Sequence, residues 1–265
     1  MRARRREQGN AVDLHVFRGD SEHGEMVRFR VPVREGMVVL DAVLWVQANQ
    51  APDLAVRWNC KAAKCGSCSA EINGFPRLMC KTPIAEYEGE ISVRPMKAFP
   101  VIRDLVTDVS WNYEVNKRIQ PFTPSERDRE DQQPWRMQQS DVDRVVEFRK
   151  CIECFLCQDV CHVLRNHDAR SAFFGPRFMI RMASLEMHPR DVADRLPQLR
   201  GDAGIAMCNV TKCCTEVCPE HIHITDNGII PLKERMADRY FDPVRWAIDK
   251  VRRREPKAPD PGNRG

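Results

Sequence analysis

Apolar and polar residues change period along the chain, and that change divides it. Residues 12–18 and 26–33 carry β-branched and apolar side chains in partly alternating order, with Gly19-Asp20 and His23-Gly24 between them, which predicts a hairpin. Over residues 38–50 the period lengthens. Val39, Leu40, Val43, Leu44 and Val46 fall at helical spacing, Asp41 stands near the start and Pro52 marks the end. Asn73-Gly74 signals a second hairpin turn, and residues 91–94 predict a closing strand. From residue 96 to 110 the pattern turns helical. Residues 111–134 mix proline and charge with few apolar positions and read as a linker. Helical spacing resumes at 141–151, where Val142, Val145, Val146 and Phe148 lead up to Cys151. It recurs over 171–199 through Phe173, Phe174, Phe178, Met179, Ile180, Met182 and Leu185, which read as core rather than as a binding stripe.

The expected architecture is α+β. An N-terminal domain over residues 1–110 has the hairpin, helix and closing strand of a β-grasp fold. A linker over 111–140, an all-α domain over 141–250 and a disordered tail over 251–265, rich in proline and charge, complete it. At 265 residues each domain is large enough for its own core. The balance of 42 basic against 38 acidic residues, a formal charge of +4, is too mild to argue for nucleic acid. Residues 1–6 are basic, yet no apolar segment follows them, so export is not expected. No run approaches the roughly 18 apolar residues that span a bilayer, so any work at a membrane is expected to use another subunit as anchor.

The chemistry lies in the cysteines, twelve in all. Cys151, Cys154, Cys157 and Cys161 follow C-x2-C-x2-C-x3-C, the spacing of bacterial two-cluster ferredoxins, in which three thiolates hold one cubane and the fourth crosses to its neighbour. Cys208, Cys214 and Cys218 occupy the first, third and fourth places of a second copy, and Thr211 occupies the second. A hydroxyl is a poor ligand for iron-sulfur chemistry, which leaves one iron corner without a thiolate. The spacing therefore assigns Cys151, Cys154, Cys157 and Cys218 to a [4Fe-4S] cluster, and Cys161, Cys208 and Cys214 to a [3Fe-4S] cluster. Cys60, Cys65 and Cys68 follow the plant-type C-x4-C-x2-C spacing and, with Cys80, predict a [2Fe-2S] site. Gly66 gives that loop the close approach and positive φ it needs. Cys213 is left over, and reads as a buried apolar-like residue beside a ligand, with ligand exchange with Cys214 as the lesser alternative. The competing reading is structural zinc, which also uses C-x2-C pairs but needs only four ligands and leaves the interleaved template unexplained.

These residues bring a resemblance into view. The stretches CKAAKCGSCSAEINGFPRLMC, VIRDLVTDVS, CIECFLCQDVC, FFGPRFM and CNVTKCCTEVCPEHI, spread over residues 12–243, resemble the iron-sulfur subunits of succinate dehydrogenases and fumarate reductases. The last stretch is most similar to actinobacterial, menaquinone-linked members. The resemblance implies an electron-transfer subunit of respiratory complex II, not catalytic alone, and peripheral on the cytoplasmic face of the cell membrane. Its expected partners are a flavoprotein carrying FAD and the dicarboxylate site, a membrane anchor and quinone. The absence of a nucleotide-binding glycine fingerprint in this chain agrees with FAD lying elsewhere. Two departures stand out. Many relatives have proline after the cysteine at position 161 and a tryptophan soon after, where this chain has Cys161-His162-Val163-Leu164, and many have KGLNP where it has EHIHI. His162, His221 and His223 are candidates to assist quinone protonation, although hydrogen-bonded structural roles are favoured for each. A soluble, heterodisulfide-type reductase subunit is the alternative within redox chemistry, and a zinc-stabilised interaction protein the alternative outside it.

Overall fold

The computed structural model describes residues 11–130 and 136–243; the basic N-terminus and the expected tail lie outside them. Alternation puts Val12, Leu14 and Val16 on one face of Ala11–Gly19 (β1), and all three are buried. This strand pairs antiparallel with Gly24–Pro32 (β2) across a turn in which the Asp20 carboxylate accepts the amides of Glu22 and His23 at 2.8 and 2.9 Å. Val39–Asn49 (α1) starts where the Asp41 carboxylate reaches back to the Val38 amide at 3.2 Å, and it buries Val39, Leu40, Ala42, Val43 and Val46.

Ser69–Ile72 (β3) and Phe75–Leu78 (β4) form the second hairpin. Its turn residues, Asn73 at φ 49° and Gly74 at φ 80°, are both left-handed, as a type I′ turn requires. Ile91–Arg94 (β5) then lies parallel to β1 and antiparallel to β3, giving the mixed order β2-β1-β5-β3-β4. Cys80 is not on a strand. It sits in a single 3-10 turn, Met79–Lys81, which the Met79 amide ties to the Cys68 carbonyl at 3.0 Å.

The helix expected over 96–110 is a small hairpin instead, Val101–Arg103 (β6) with Val106–Thr107 (β7). Pro100 disfavours helical backbone at the residue before it, and Asp104 turns the chain at φ 49°. The buried Asp104 carboxylate accepts the Gly19 amide at 2.9 Å, the Ala55 amide at 2.8 Å and Arg18 Nε at 3.1 Å, which pins the hairpin to the end of β1.

Beyond β7 the described residues form no strand. Ser110–Arg118 (α2) and Glu126–Glu130 (α3) lie in the stretch expected as linker, and it carries more structure than its composition indicates. Val115 and Ile119 are buried in the helical core, and the fully buried Arg195 donates to the carbonyls of Gln120 at 2.9 Å and Pro121 at 2.7 Å. Gln139–Val146 (α4) continues through a 3-10 turn to Cys151. The single-turn helices Leu156–Asp159 (α5) and His162–Arg165 (α6) follow, then Pro176–Glu186 (α7), whose Phe178, Met179, Ile180 and Met182 are core residues. Leu196–Arg200 (α8), Cys213–Glu216 (α9) and Ile230–Tyr240 (α10), the last entered through a π-helical turn at Ile224–Ile229, complete this domain.

The two cores meet. Cys154 and Leu156, carried by the helical domain, pack into the core of the N-terminal sheet.

Candidate metal centres

The first cysteine set is wrapped by its own backbone. Lys61 at φ 53°, Ala63 at φ 54° and Gly66 at φ 67° are left-handed, and each reversal turns amides towards sulfur. Cys60 Sγ accepts the amides of Ala62 at 3.3 Å and Lys64 at 3.4 Å, Cys65 Sγ that of Cys60 at 3.5 Å, and Cys80 Sγ that of Ala63 at 3.3 Å. The last of these bonds closes the loop onto Cys80 from 17 residues away. Cys60 is exposed, Cys65 half-buried, and Cys68 and Cys80 buried. Burial pushes the Cys68 thiol up to about 12. Burial also opposes ionisation at Cys65, but the Ser67 hydroxyl at 3.0 Å and the Cys60 amide prevail and hold that thiol down at about 6. Amides aimed at three of the four sulfurs make the environment that iron-sulfur ligands require, since those hydrogen bonds stabilise the thiolate charge.

Cys151, Cys154, Cys157 and Cys218 line a second space, walled on its apolar side by Phe155, Ile180 and Ile222. Cys157 lies wholly inside, and burial followed by the neighbouring Cys154 and Cys151 thiols drives it well above its ordinary value. Burial lifts Cys154 to about 12 and also raises Cys151, against the pull of the Arg177 guanidinium that lines the same space. Arg177 pairs with Glu153, and its amide is accepted by the buried Gln158 side chain. Gln158 also donates to Asn112 Oδ1 and to the Phe174 carbonyl, so α2, α5 and α7 are joined behind the cysteines. The Ile222 amide points at Cys218 Sγ, 3.5 Å away.

A third space is lined by Cys161, Cys208 and Cys214 together with Thr211 and Cys213. Burial pushes Cys161 up to about 11 and Cys214 to about 12, the latter against a contact from the Thr225 hydroxyl at 3.5 Å. Cys213 is half-buried rather than buried, which corrects its reading as a core residue. Its position beside Cys214 on this wall is what the doublet indicated, and the lesser alternative, exchange with Cys214, is the one that its place on the wall keeps open.

Thiols pushed this far up become ligands only when a metal replaces their protons, so loading these spaces releases protons. Among the described residues no three His, Cys, Asp or Glu side chains converge as ligands of one metal ion. The cysteines surround volumes, which suits a multi-iron cluster whose ligands bind separate corners.

The three sets are contiguous. Gly66, in the first loop, packs on Cys154 so closely that a Cβ built there would lie 2.7 Å from the Cys154 Cα. Beside it the buried Ser69 hydroxyl faces the carbonyl oxygens of Gly66 at 2.9 Å and Cys154 at 2.8 Å. The single turn of α5 separates Cys157 on the second space from Cys161 on the third, and α9 likewise runs from Cys214 towards Cys218. Left-handed residues recur in the later loops, at Glu153, Phe155, Val210, Lys212 and His221.

The candidate histidines are dispersed. His162 lines the third space, His221 is exposed, and His223 is bonded to the Glu147 carboxylate at 2.6 Å, a structural partner.

Comparison with known proteins agrees with this arrangement. A family described as a 2Fe-2S iron-sulfur cluster binding domain matches residues 13–114, and one described as a 4Fe-4S dicluster domain matches residues 147–222. The fumarate reductase iron-sulfur subunit of Escherichia coli O157:H7 is 31% identical over 196 residues, covering 73% of this chain and 79% of that protein. The succinate dehydrogenase iron-sulfur subunit of Bacillus subtilis is 30% identical over 207 residues, covering 74% and 81%. A chain of the Mycobacterium smegmatis Sdh1 complex in the apo form superposes with a TM-score of 0.85 at 56% identity, covering 88% of this chain and 98% of its own. By sequence and by fold, then, this chain belongs to the family of iron-sulfur subunits of succinate dehydrogenases and fumarate reductases.

Proposed function

We propose that the chain conducts electrons between the FAD of a flavoprotein subunit and a quinone, most simply menaquinone, at a membrane anchor. In this reading Cys60, Cys65, Cys68 and Cys80 hold a [2Fe-2S] cluster and Cys151, Cys154, Cys157 and Cys218 a [4Fe-4S] cluster. Cys161, Cys208 and Cys214 hold a [3Fe-4S] cluster. Bound clusters supply one-electron steps between a two-electron donor and a two-electron acceptor.

The contiguity of the three cysteine sets carries this reading. Gly66 and Ser69 bring the first loop onto the backbone of Cys154, and one helical turn joins Cys157 to Cys161. The residues around the sets fix that spacing, through Gln158 from behind and through the N-H groups aimed at sulfur. No helix among the described residues is long and apolar enough to cross a membrane. In this reading the chain sits peripherally on the cytoplasmic face, held there by an anchor that another subunit supplies.

The test is a metal count with a redox titration. The oxidised complex is expected to hold about nine irons and about ten acid-labile sulfides in this chain, the totals of one [2Fe-2S], one [4Fe-4S] and one [3Fe-4S] cluster. Electron paramagnetic resonance should resolve three centres, the [3Fe-4S] one visible when oxidised. Zinc in place of iron would overturn the reading. So would succinate turnover by the isolated chain, since the dicarboxylate site is assigned to the flavoprotein.

A further inference from the structure

The third space has a thiol that the ferredoxin template does not supply. In that template the second position of the run reaches the fourth iron, and here the position is Thr211. Thr211 Oγ1 and Cys213 Sγ are 3.3 Å apart, and both line the space shared by Cys161, Cys208 and Cys214. The local backbone explains how a residue two places further on arrives at the same corner. Val210 at φ 63° and Lys212 at φ 64° are both left-handed, so the chain doubles back and sets the side chains of 211 and 213 together. Cys213 is half-buried, as Cys208 is, and so is open to an ion from solvent. Lys212 is drawn off to Asp226 at 2.7 Å.

We propose that Cys213 is a reversible fourth thiol of this site, so that the site takes up a ferrous ion and interconverts between [3Fe-4S] and [4Fe-4S] forms. The inference rests on the ligand assignment given above. In the forward step the one-electron-reduced, neutral [3Fe-4S] core binds Fe²⁺, and the Cys213 thiol loses its proton to solvent as its sulfur bonds to the incoming iron. The product is a [4Fe-4S]²⁺ core, so the binding step itself moves no electron. The electron that first reduces the core comes from succinate through the flavoprotein. In reverse, a one-electron oxidant such as ferricyanide removes one electron, the bond from Cys213 to iron breaks, Fe²⁺ leaves, and the oxidised [3Fe-4S]⁺ core returns. Because potential follows cluster type and charge, iron uptake lowers the potential of the terminal centre and slows electron delivery to quinone.

The experiment uses the intact complex. The protein is oxidised, scanned by electron paramagnetic resonance, reduced anaerobically with succinate, incubated with ⁵⁷Fe²⁺ and freed of unbound metal. Wild-type protein is expected to lose the [3Fe-4S] signal and rise from about nine to about ten irons, with the label in one Mössbauer site. Reoxidation with ferricyanide should reverse both changes. Cys213→Ala is expected to keep its [3Fe-4S] signal and its iron count through the same treatment. A parallel measurement on wild type alone covers the event that the variant fails to assemble: iodoacetamide should alkylate Cys213 before iron addition and not after it. The inference is overturned if wild type takes up no iron, if Cys213→Ala converts equally well, or if alkylation of Cys213 is indifferent to iron. The underlying assignment fails differently, by the absence of a [3Fe-4S] signal from both proteins in the first oxidised scan, and the inference falls with it.

Discussion

Gly66→Ala tests the junction of the first two cysteine sets, and its cost can be divided into two parts. Gly66 has φ +67°, where an alanine costs about 1–2 kcal/mol for want of glycine's freedom. Its added Cβ would also lie 2.7 Å from Cys154 Cα, 2.9 Å from Cys154 Cβ and 2.9 Å from Cys154 N. Those are backbone and ligand atoms that cannot swing aside, and overpacking of this kind costs about 1–3 kcal/mol more. Gly74→Ala is the control, because Gly74 has φ +80° with nothing within 4 Å of a built Cβ and so pays the conformational part alone. In thermal unfolding of the loaded protein at one scan rate, a chain of this size loses roughly 2–4 °C per kcal/mol. Gly66→Ala should therefore melt on the order of 10 °C low, Gly74→Ala a few degrees low. Only Gly66→Ala should perturb the [2Fe-2S] and [4Fe-4S] spectra. Equal losses in the two variants, with both spectra unchanged, would refute the claim that this glycine holds the two loops in contact.

Three further outcomes are expected. Ser69→Ala leaves two buried carbonyls without their shared hydroxyl and should cost about 1–3 kcal/mol in denaturant unfolding, unless the loops do not meet there. Burial pushes the Glu147 carboxyl up, but the His223 amide and the Asn227 side chain outweigh it and hold the group below its ordinary 4.5. With the folded value depressed, its contribution is present above pH 4.5 and is lost as pH falls below it, so Glu147→Gln should flatten stability against pH in that acid window alone. Thr211→Cys restores the full template and should replace the oxidised [3Fe-4S] signal with a reduced [4Fe-4S] signal, with slower quinone reduction but unchanged flavin reduction by succinate. A free thiol at 211 with an unaltered signal would show that this position does not face the fourth corner.

Much of this was legible in the sequence because it depends on local periods. The β1-β2 hairpin and α1 follow from alternation and helical spacing, and each buries the face its pattern marks. Short gaps fix the loop geometry within each cysteine run, whereas the grouping of Cys218 with Cys151, Cys154 and Cys157, and of Cys161 with Cys208 and Cys214, came from the interleaved two-cluster template. What failed was long-range. Val101, Ile102, Leu105 and Val106 suit a helix by interval, but the turn between them is held by Asp104, whose partners lie 85 and 49 residues away at Gly19 and Ala55. In the interdomain stretch the decisive residue is Arg195, which satisfies two of its carbonyls from 75 and 74 positions downstream. Cys213 was misread because direction was at stake. Its neighbour Cys214 is buried, but the left-handed Val210 and Lys212 aim the two thiols by a route no propensity encodes.

Those left-handed residues bear on how the subunit behaves without metal. Lys61, Ala63, Glu153, Phe155, Val210, Lys212 and His221 are not glycines, and each holds a backbone conformation that costs about 1 kcal/mol or more. Amide-to-sulfur bonds offset part of that cost, and ligation of these sulfurs would offset more, so these loops are expected to loosen first when metal is withheld. A chain without its clusters is therefore expected to expose these loops to proteases before the rest of either domain. Limited proteolysis of metal-free against loaded protein should then cut first within residues 60–66, 151–157 and 208–221, the segments that carry these left-handed residues.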